Sequence, residues 1–405
     1  MPPVESGMSA ITREKLQQAV GLVSASDADV WLTFVRETAL GGDPVLPLIL
    51  EGGLTWQSAL IVTSAGRKIA VLGNYDVDPL LQSGDWDEVV PYVQGIKAPL
   101  LDVLDKHVPA GGKIAVNYST DDVKADGLSH GMFLLLESYL AGTRFASHLV
   151  SAEEIVMSLR GVKTPAEVAS MRSAIQETDL LFEDIAAFAK IGTTERAVYE
   201  MVHEKIKSRN LGFSWDPAGD PIVNSGPNSM IGHGIASSKI TLEPGHVLHI
   251  DLGVIKNGYS SDIQRCWYVG EAGESIPEDV LKVVESVNGA ISAGAAVLKP
   301  GALGHEVDAA ARSYLVSCGY DEYLHAFGHQ VGRVAHDGGA ILGPKWERYG
   351  STPSIPIKKG EVYTLELGVI MENRGYLGLE EMVVVTDDGC EWLTNRQLEI
   401  KIIGS

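Results

Sequence analysis

A chain of 405 residues, 45% of them hydrophobic, is too long for one ordinary domain and can bury the cores of two. Its 53 acidic against 32 basic residues leave a formal charge of −21, which argues against nucleic acid or anionic membrane as a partner, since both need a positive surface. Cys266, Cys318 and Cys390 are odd in number and widely spaced, so no disulfide framework or zinc ribbon is expected and a reducing cytoplasmic compartment is.

In chain order, the N-terminus lacks a basic region followed by an apolar run, so no signal peptide is expected. No stretch approaches 18 consecutive apolar residues, so no membrane span is expected either. Ile11, Leu16, Val20 and Val23 recur at helical spacing and predict an early amphipathic helix. Short apolar runs at 29–35, 59–62, 68–72 and 113–117, separated by Gly, Ser and Asp, predict strands and turns. Residues 130–142 read as a helix. Residues 1–157 thus form a smaller α/β domain. It holds no constellation of chemically useful residues and reads as structural or dimerising.

The texture changes near residue 160. Thr164-Pro165-Ala166-Glu167 is a capping box with Pro at the first helical position, predicting a helix to about 190 with Gly192 as its C-terminal cap. A second helix is expected over 195–209, and strands and tight turns through 270. Ser275-Ile276-Pro277-Glu278 is a further capping box opening a third helix. A fourth covers 302–318, ended by Gly319, and strands return to the C-terminus. Two helices, strands, two helices, strands make a weak internal duplication. Helices segregated from antiparallel strands imply an α+β domain over 158–405.

Two hairpins carry acidic pairs. Asn257-Gly258 lies between two apolar runs, a strong two-residue turn signal. That register sets Asp251 opposite Gln264, and Asp262 then shares the face of Asp251. Asp is disfavoured in strands, so two on one face need a reason, either a bound cation or plain solvation. The second hairpin spans residues 362–386. A three-residue loop Asn373-Arg374-Gly375 would pair Glu372 with Tyr376, set Glu366 opposite Met382, and put Glu380 on the same face as Glu366. A two-residue loop would turn the glutamates to opposite faces. Between the hairpins lie His325, His329 and His336, with Gly328 and Gly332 beside the middle one permitting close backbone approach. One imidazole and four carboxylates suit divalent Mn, Fe, Co or Zn. Two ions would neutralise about four negative charges and could share a bridging water as a hydroxide nucleophile at neutral pH.

The order Asp251, Asp262, His329, Glu366, Glu380 resembles the five-ligand signature of the pita-bread metallopeptidases, the superfamily of methionine aminopeptidase, aminopeptidase P, prolidase and creatinase. Ser225-Gly226-Pro227-Asn228 followed by His233, and His325-x-x-Gly328-His329 leading to His336-Asp337, are similar to the proline-peptidase branch. The resemblance covers about residues 155–400. It implies a pita-bread catalytic domain behind a creatinase-like N-terminal domain, and a homodimer. It implies two divalent ions, with manganese the first choice and Co, Zn or Fe the others. Asp251 would chelate one ion, Asp262 and Glu380 would bridge both, and His329 would give the only nitrogen. Glu366 would bind metal and act as general base. His233 and His336 would hold the substrate and the tetrahedral intermediate, and His325 would line the pocket. The implied reaction is hydrolysis of short Xaa-Pro peptides through a metal-bridging hydroxide. The alternative is a creatinase- or ectoine hydrolase-like amidohydrolase. Gly378 stands where an Arg is usual in this branch, Leu367 where a Pro is usual, and Arg333 where an apolar residue is usual. Arg333 is therefore a candidate clamp for a substrate carboxylate. The loop 338–356, with Trp346 and Tyr349, could overhang the pocket.

Overall fold

The computed structural model describes residues 10–232 and 234–404. The chain divides into two compact units, Met1–Arg160 and Gly161–Ser405.

In the first unit, six strands form one sheet: β1 Val30–Val35, β2 Ser58–Thr63, β3 Lys68–Gly73, β4 Glu88–Tyr92, β5 Ile114–Val116 and β6 Leu149–Ser151. Their order is β4-β3-β2-β1-β5-β6. β2 runs antiparallel to β1 and β3, and the other pairs are parallel. Every residue of β1 is buried. Val30, Leu32 and Phe34 enter a core with Leu100, Leu104 and Leu136, while Trp31 and Val35 enter another with Leu16 and Val23. A strand covered on both faces reads as a continuous apolar run, and for that reason it is visible in the sequence. The expected early helix is Ala10–Ala25 and the later one His130–Leu140. β4 and β6, which the sequence reading passes over, are only partly buried and carry weak patterns.

The second unit begins with the helix Pro165–Phe188. Thr164 accepts from Glu167 N, and the Glu167 carboxylate accepts from Thr164 N, closing the expected capping box. The helix ends at extended Ala189, so Gly192 (φ 88°) serves the following turn and not the helix cap. Thr194 caps Glu195–Ser208. The helix Glu278–Val297 begins after Pro277 without a side-chain cap, so the box expected at Ser275 does not form. Gly304–Ser317 is the fourth helix. By length and composition Glu278–Val297 could cross a membrane. Its Val280, Val283, Val287 and Ile291 are instead buried in this unit's core.

The strands are β7 Gly212–Phe213, β8 Ile222–Ser225, β9 Val247–Leu252, β10 Val254–Lys256, β11 Tyr259–Ser260, β12 Ile263–Val269, β13 Val362–Met371, β14 Gly375–Val385, β15 Cys390–Trp392 and β16 Lys401–Ile403. They form sheets β11-β10-β7, β16-β12-β9-β8 and β13-β14-β15. Leu365, Leu367, Leu377 and Leu379 join the core beneath the helices. Side chains alternate along a strand, so Glu366 and Glu380 point to the opposite face.

Candidate metal centre

The first hairpin turns at Asn257 and Gly258, both at positive φ, and pairs Lys256 with Tyr259. The same register carries through to Asp251 opposite Gln264. Between these rungs the hairpin splits into two sheets. Asp220, fully buried, accepts from Gly253 N at 3.4 Å and Ser214 N at 3.0 Å across the break. A Cβ on Gly253 would lie 2.4 Å from Ser261 O, so only glycine fits there. Asp262 N leaves the ladder and meets Met382 Sδ at 3.4 Å.

The second hairpin differs in detail from the expectation. Its loop has three residues, but they are Glu372-Asn373-Arg374, and Met371 pairs with Gly375. Glu372 therefore does not pair with Tyr376, and Thr364, not Glu366, faces Met382. The pairing shifts by an even number of positions, so the glutamates keep a common face. Glu366 and Glu380 stand directly opposite one another. The reason lies in Gly375, whose φ of 100° closes the loop as a strand residue and not as its third member.

His329 is stitched to β13 by Thr364 N→His329 O at 2.9 Å and His329 N→Thr364 Oγ1 at 3.2 Å. A Cβ on Gly328 would meet Thr364 O at 2.0 Å, the close approach its glycine permits. Its Nδ1 lies 3.3 Å from Gln330 O, which places the hydrogen there and leaves the Nε2 lone pair for the centre. Nε2 is 3.6 Å from Asp262 Oδ2 and 3.7 Å from Glu366 Oε1. Burial first, then the neighbouring His336, pushes the His329 pKa down to about 3, so these contacts involve a neutral ring.

Ligand atoms of Asp262, His329 and Glu380 all lie within 4.8 Å of one another. Glu366 adjoins through His329, and Asp251 through its electrostatic coupling to Glu366 and Asp262. Burial pushes the Asp251, Asp262 and Glu380 carboxyls well above the usual range, and their mutual repulsion adds to it. Glu366 is raised by burial to about 7, with the Gln264 hydrogen bond pulling the other way. Asp251 Oδ1 and Glu380 Oε2 are buried without a hydrogen-bond partner. Four crowded carboxyls, two orphaned oxygens and an imidazole lone pair fit divalent cations held by oxygen and nitrogen.

The other expected residues are placed as follows. His336 is exposed and sets its ring edge-on to His329, centroids 4.3 Å apart. Asp337 beside it pairs with buried Lys163 at 3.0 Å, and Gly332 leaves room for that carboxylate. His325 is exposed, its Nδ1 3.0 Å from Ala326 O and its ring edge-on to Tyr323. Arg333 lies with its guanidinium 5.3 Å from the Tyr259 ring centroid, at the tip of the first hairpin. His233 lies outside the described residues. In the loop 338–356, Trp346 and Tyr349 stack at 5.9 Å around Arg348, whose Nη2 reaches Leu324 O beside His325.

The sequence reading passed over Gln264, which donates to Glu366, and His249, Asn224 and Tyr376 behind it. One signal existed. His249 shares the strand face of Asp251, and Gln264 that of Asp262, so the face is polar throughout.

An α+β fold whose curved hairpins hold one imidazole and four carboxylates defines the class as a metal-dependent hydrolase. A model of metallopeptidase family M24 matches residues 169–387. The Xaa-Pro dipeptidase of Pyrococcus furiosus is 32% identical over 251 residues, 61% of this chain and 67% of that protein. The dipeptidase structure from Mycobacterium ulcerans superposes with a TM-score of 0.73 at 24% identity, covering 99% of this chain and 100% of that one. The Xaa-Pro dipeptidase structure from Bacillus anthracis gives 0.72 at 23%, covering 97% and 100%. The chain belongs to metallopeptidase family M24 and has the pita-bread fold behind an N-terminal domain.

Proposed function

We propose that this chain is an exopeptidase of short peptides, cleaving Xaa-Pro bonds with two divalent ions, manganese first. The observation that carries it is the meeting of Asp262, His329 and Glu380 ligand atoms within 4.8 Å, ringed by Glu366 and Asp251. The relative from Pyrococcus furiosus named an Xaa-Pro dipeptidase supports the substrate class.

When bound, the ions supply a Lewis acid and an acidified water. Asp251, Asp262, His329 through Nε2, Glu366 and Glu380 would hold the ions. Glu366 would take a proton from water through Oε1, the oxygen facing His329. His336 lies against His329, where it donates to the developing oxyanion, and His233 shares that task. His325 lines the side of the residue after the scissile bond. A cytoplasmic homodimer belongs to this reading; the three free cysteines support the compartment.

The test restores Mn²⁺, Co²⁺ and Zn²⁺ separately to metal-stripped protein and offers Xaa-Pro dipeptides and longer Xaa-Pro peptides. Cleavage with at least one metal is expected. Absence of cleavage with all three sinks the proposal. One observation favours a second reading, a small-molecule amidohydrolase: position 378 is glycine, with Tyr376 lying over it. Creatine-like and cyclic-amidine substrates in the same panel decide between them.

A further inference from the structure

A second set of polar side chains is buried behind Glu366. Gln264 Nε2 donates to Glu366 Oε2 at 2.8 Å, and Gln264 Oε1 lies 3.0 Å from His249 Nε2. A carboxylate only accepts, so the amide must turn its NH₂ to Glu366 and its oxygen to His249, whose Nε2 then donates. His249 Nδ1 lies 3.2 Å from Asn224 Oδ1, also an acceptor, so the neutral ring donates to Gln264 alone and meets Asn224 by packing. Asn224 is itself tied to Ser229 Oγ at 3.1 Å and Met230 O at 2.7 Å. The three residues sit on adjacent strands β8, β9 and β12, with Asn224 directly paired to His249. Asn224, His249 and Gln264 are each 5% exposed or less. Gln264 is satisfied on both sides, and a buried polar group so satisfied holds one geometry.

Tyr376 closes the set. Its ring stands edge-on to His249, centroids 4.8 Å apart at 84°. A Cβ on Gly368 would lie 2.4 Å from that ring. A Cβ on Gly378 would lie 2.4 Å from the ring and 2.9 Å from Gln264 Oε1. The paired glycines are the floor on which Tyr376 rests, and any side chain at 378 strikes both Tyr376 and Gln264.

We propose that Gln264 is the positioning residue of Glu366, held in place by the His249 hydrogen bond and by Tyr376 seated on Gly368 and Gly378. Gln264 commits Oε2 of Glu366, so that Oε1 alone is aimed at His329 and the metal centre. The role of Glu366 rests on the functional reading above; the hydrogen bonds do not.

The experiment follows Mn²⁺ binding to the full chain by calorimetry and electron paramagnetic resonance, alongside peptide kinetics. Gln264→Leu removes the donor at similar volume. It is expected to weaken Mn²⁺ binding by about 10–100-fold, the usual effect of losing a partner of a metal ligand. It should also lower kcat at least about tenfold with KM within about threefold, the signature of a lost transition-state interaction. His249→Leu should act in the same direction, and the double variant should be no worse than Gln264→Leu alone, because one chain is cut once. Gly378→Ala should weaken Mn²⁺ binding although it adds a single methyl. Should Gln264→Leu fail to fold by circular dichroism, Gln264→Asn, one methylene too short, carries the same readout. A folded Gln264 variant with wild-type Mn²⁺ affinity, spectrum and kcat overturns the proposal. So does strict additivity of the Gln264 and His249 changes. If the wild type binds Mn²⁺ yet cleaves no peptide, the peptidase reading falls and the metal measurements alone decide the role of Gln264.

Discussion

Glu366 and Glu380 face each other across one rung of an antiparallel ladder, where like charges repel unless a cation lies between them. Buried against Asp262 and Glu366, the Glu380 carboxyl is raised well above its ordinary 4.5. The sign of its effect on stability follows. The unfolded chain loses this proton near 4.5, whereas the metal-free folded chain keeps it, so folding without metal takes up a proton at neutral pH and is penalised. Glu380→Gln removes the penalty and also removes a ligand. In chelator, the variant should melt higher than the wild type, by roughly 2–5 °C. The gap should be widest near pH 8 and close near pH 4, where both forms are protonated. With Mn²⁺ present the order should reverse, and activity should fall at least about 100-fold. Thermal melts with and without chelator at three pH values check this. A variant less stable than wild type in chelator would show that repulsion does not dominate the site.

At the scale of elements, what the sequence revealed depended on how local the cause was. The Asn257-Gly258 turn sets its own register, and Asp251 opposite Gln264 follows from it. The Thr164–Glu167 box likewise needs only neighbours. The second hairpin was legible in parity but not in detail, because several loops suit Glu372-Asn373-Arg374-Gly375 and the strand pairing chooses among them. The gathering of Asn224, His249 and Gln264 was not legible, since it joins three strands up to 40 positions apart. The end of Pro165–Phe188 and the start of Glu278–Val297 missed their expected caps because packing, not capping, fixed them. Parity itself is testable. Deleting Ile370 from β13, with Met371 still paired to Gly375, moves Glu366 by one rung and turns it away from the face of Glu380. Metal content after dialysis against Mn²⁺ should fall by at least half, with circular dichroism unchanged. The first unit offers a separate test. Asp43 is buried and accepts from Val45 N and Asn117 Nδ2, yet burial still raises its pKa from 3.8 to about 6. The unfolded chain ionises first, so stability from this group is full below pH 4 and falls as pH rises to 6. The loss is about 3 kcal/mol at most. Asp43→Asn should flatten the pH dependence of the melting temperature between pH 4 and 6. An unchanged slope would remove Asp43 as its cause.

At the scale of the whole molecule, the metal ligands all fall in Gly161–Ser405, while Met1–Arg160 has hydrophobic clusters of its own around Leu32 and Trp31. Anything that binds the native state stabilises only the cooperative unit to which it is bound, by about 2.7 kcal/mol at a hundredfold excess over Kd. Scanning calorimetry should therefore resolve two transitions, and Mn²⁺ should raise one of them and leave the other within error. Proton linkage gives that transition a second mark. In the metal-free chain burial raises the Asp251, Asp262 and Glu380 carboxyls well above the usual range and Glu366 to about 7, whereas all four must be ionised to bind metal. Metal binding at pH 7 should then release protons, and affinity should rise with pH across the range where Glu366 titrates. Titration of Mn²⁺ in two buffers of different ionisation enthalpy measures the number released. Net proton release on binding at pH 7 is the expected outcome. A heat of binding independent of the buffer would mean that the carboxylates are already ionised without metal, and that the repulsion among them is relieved by some other cation.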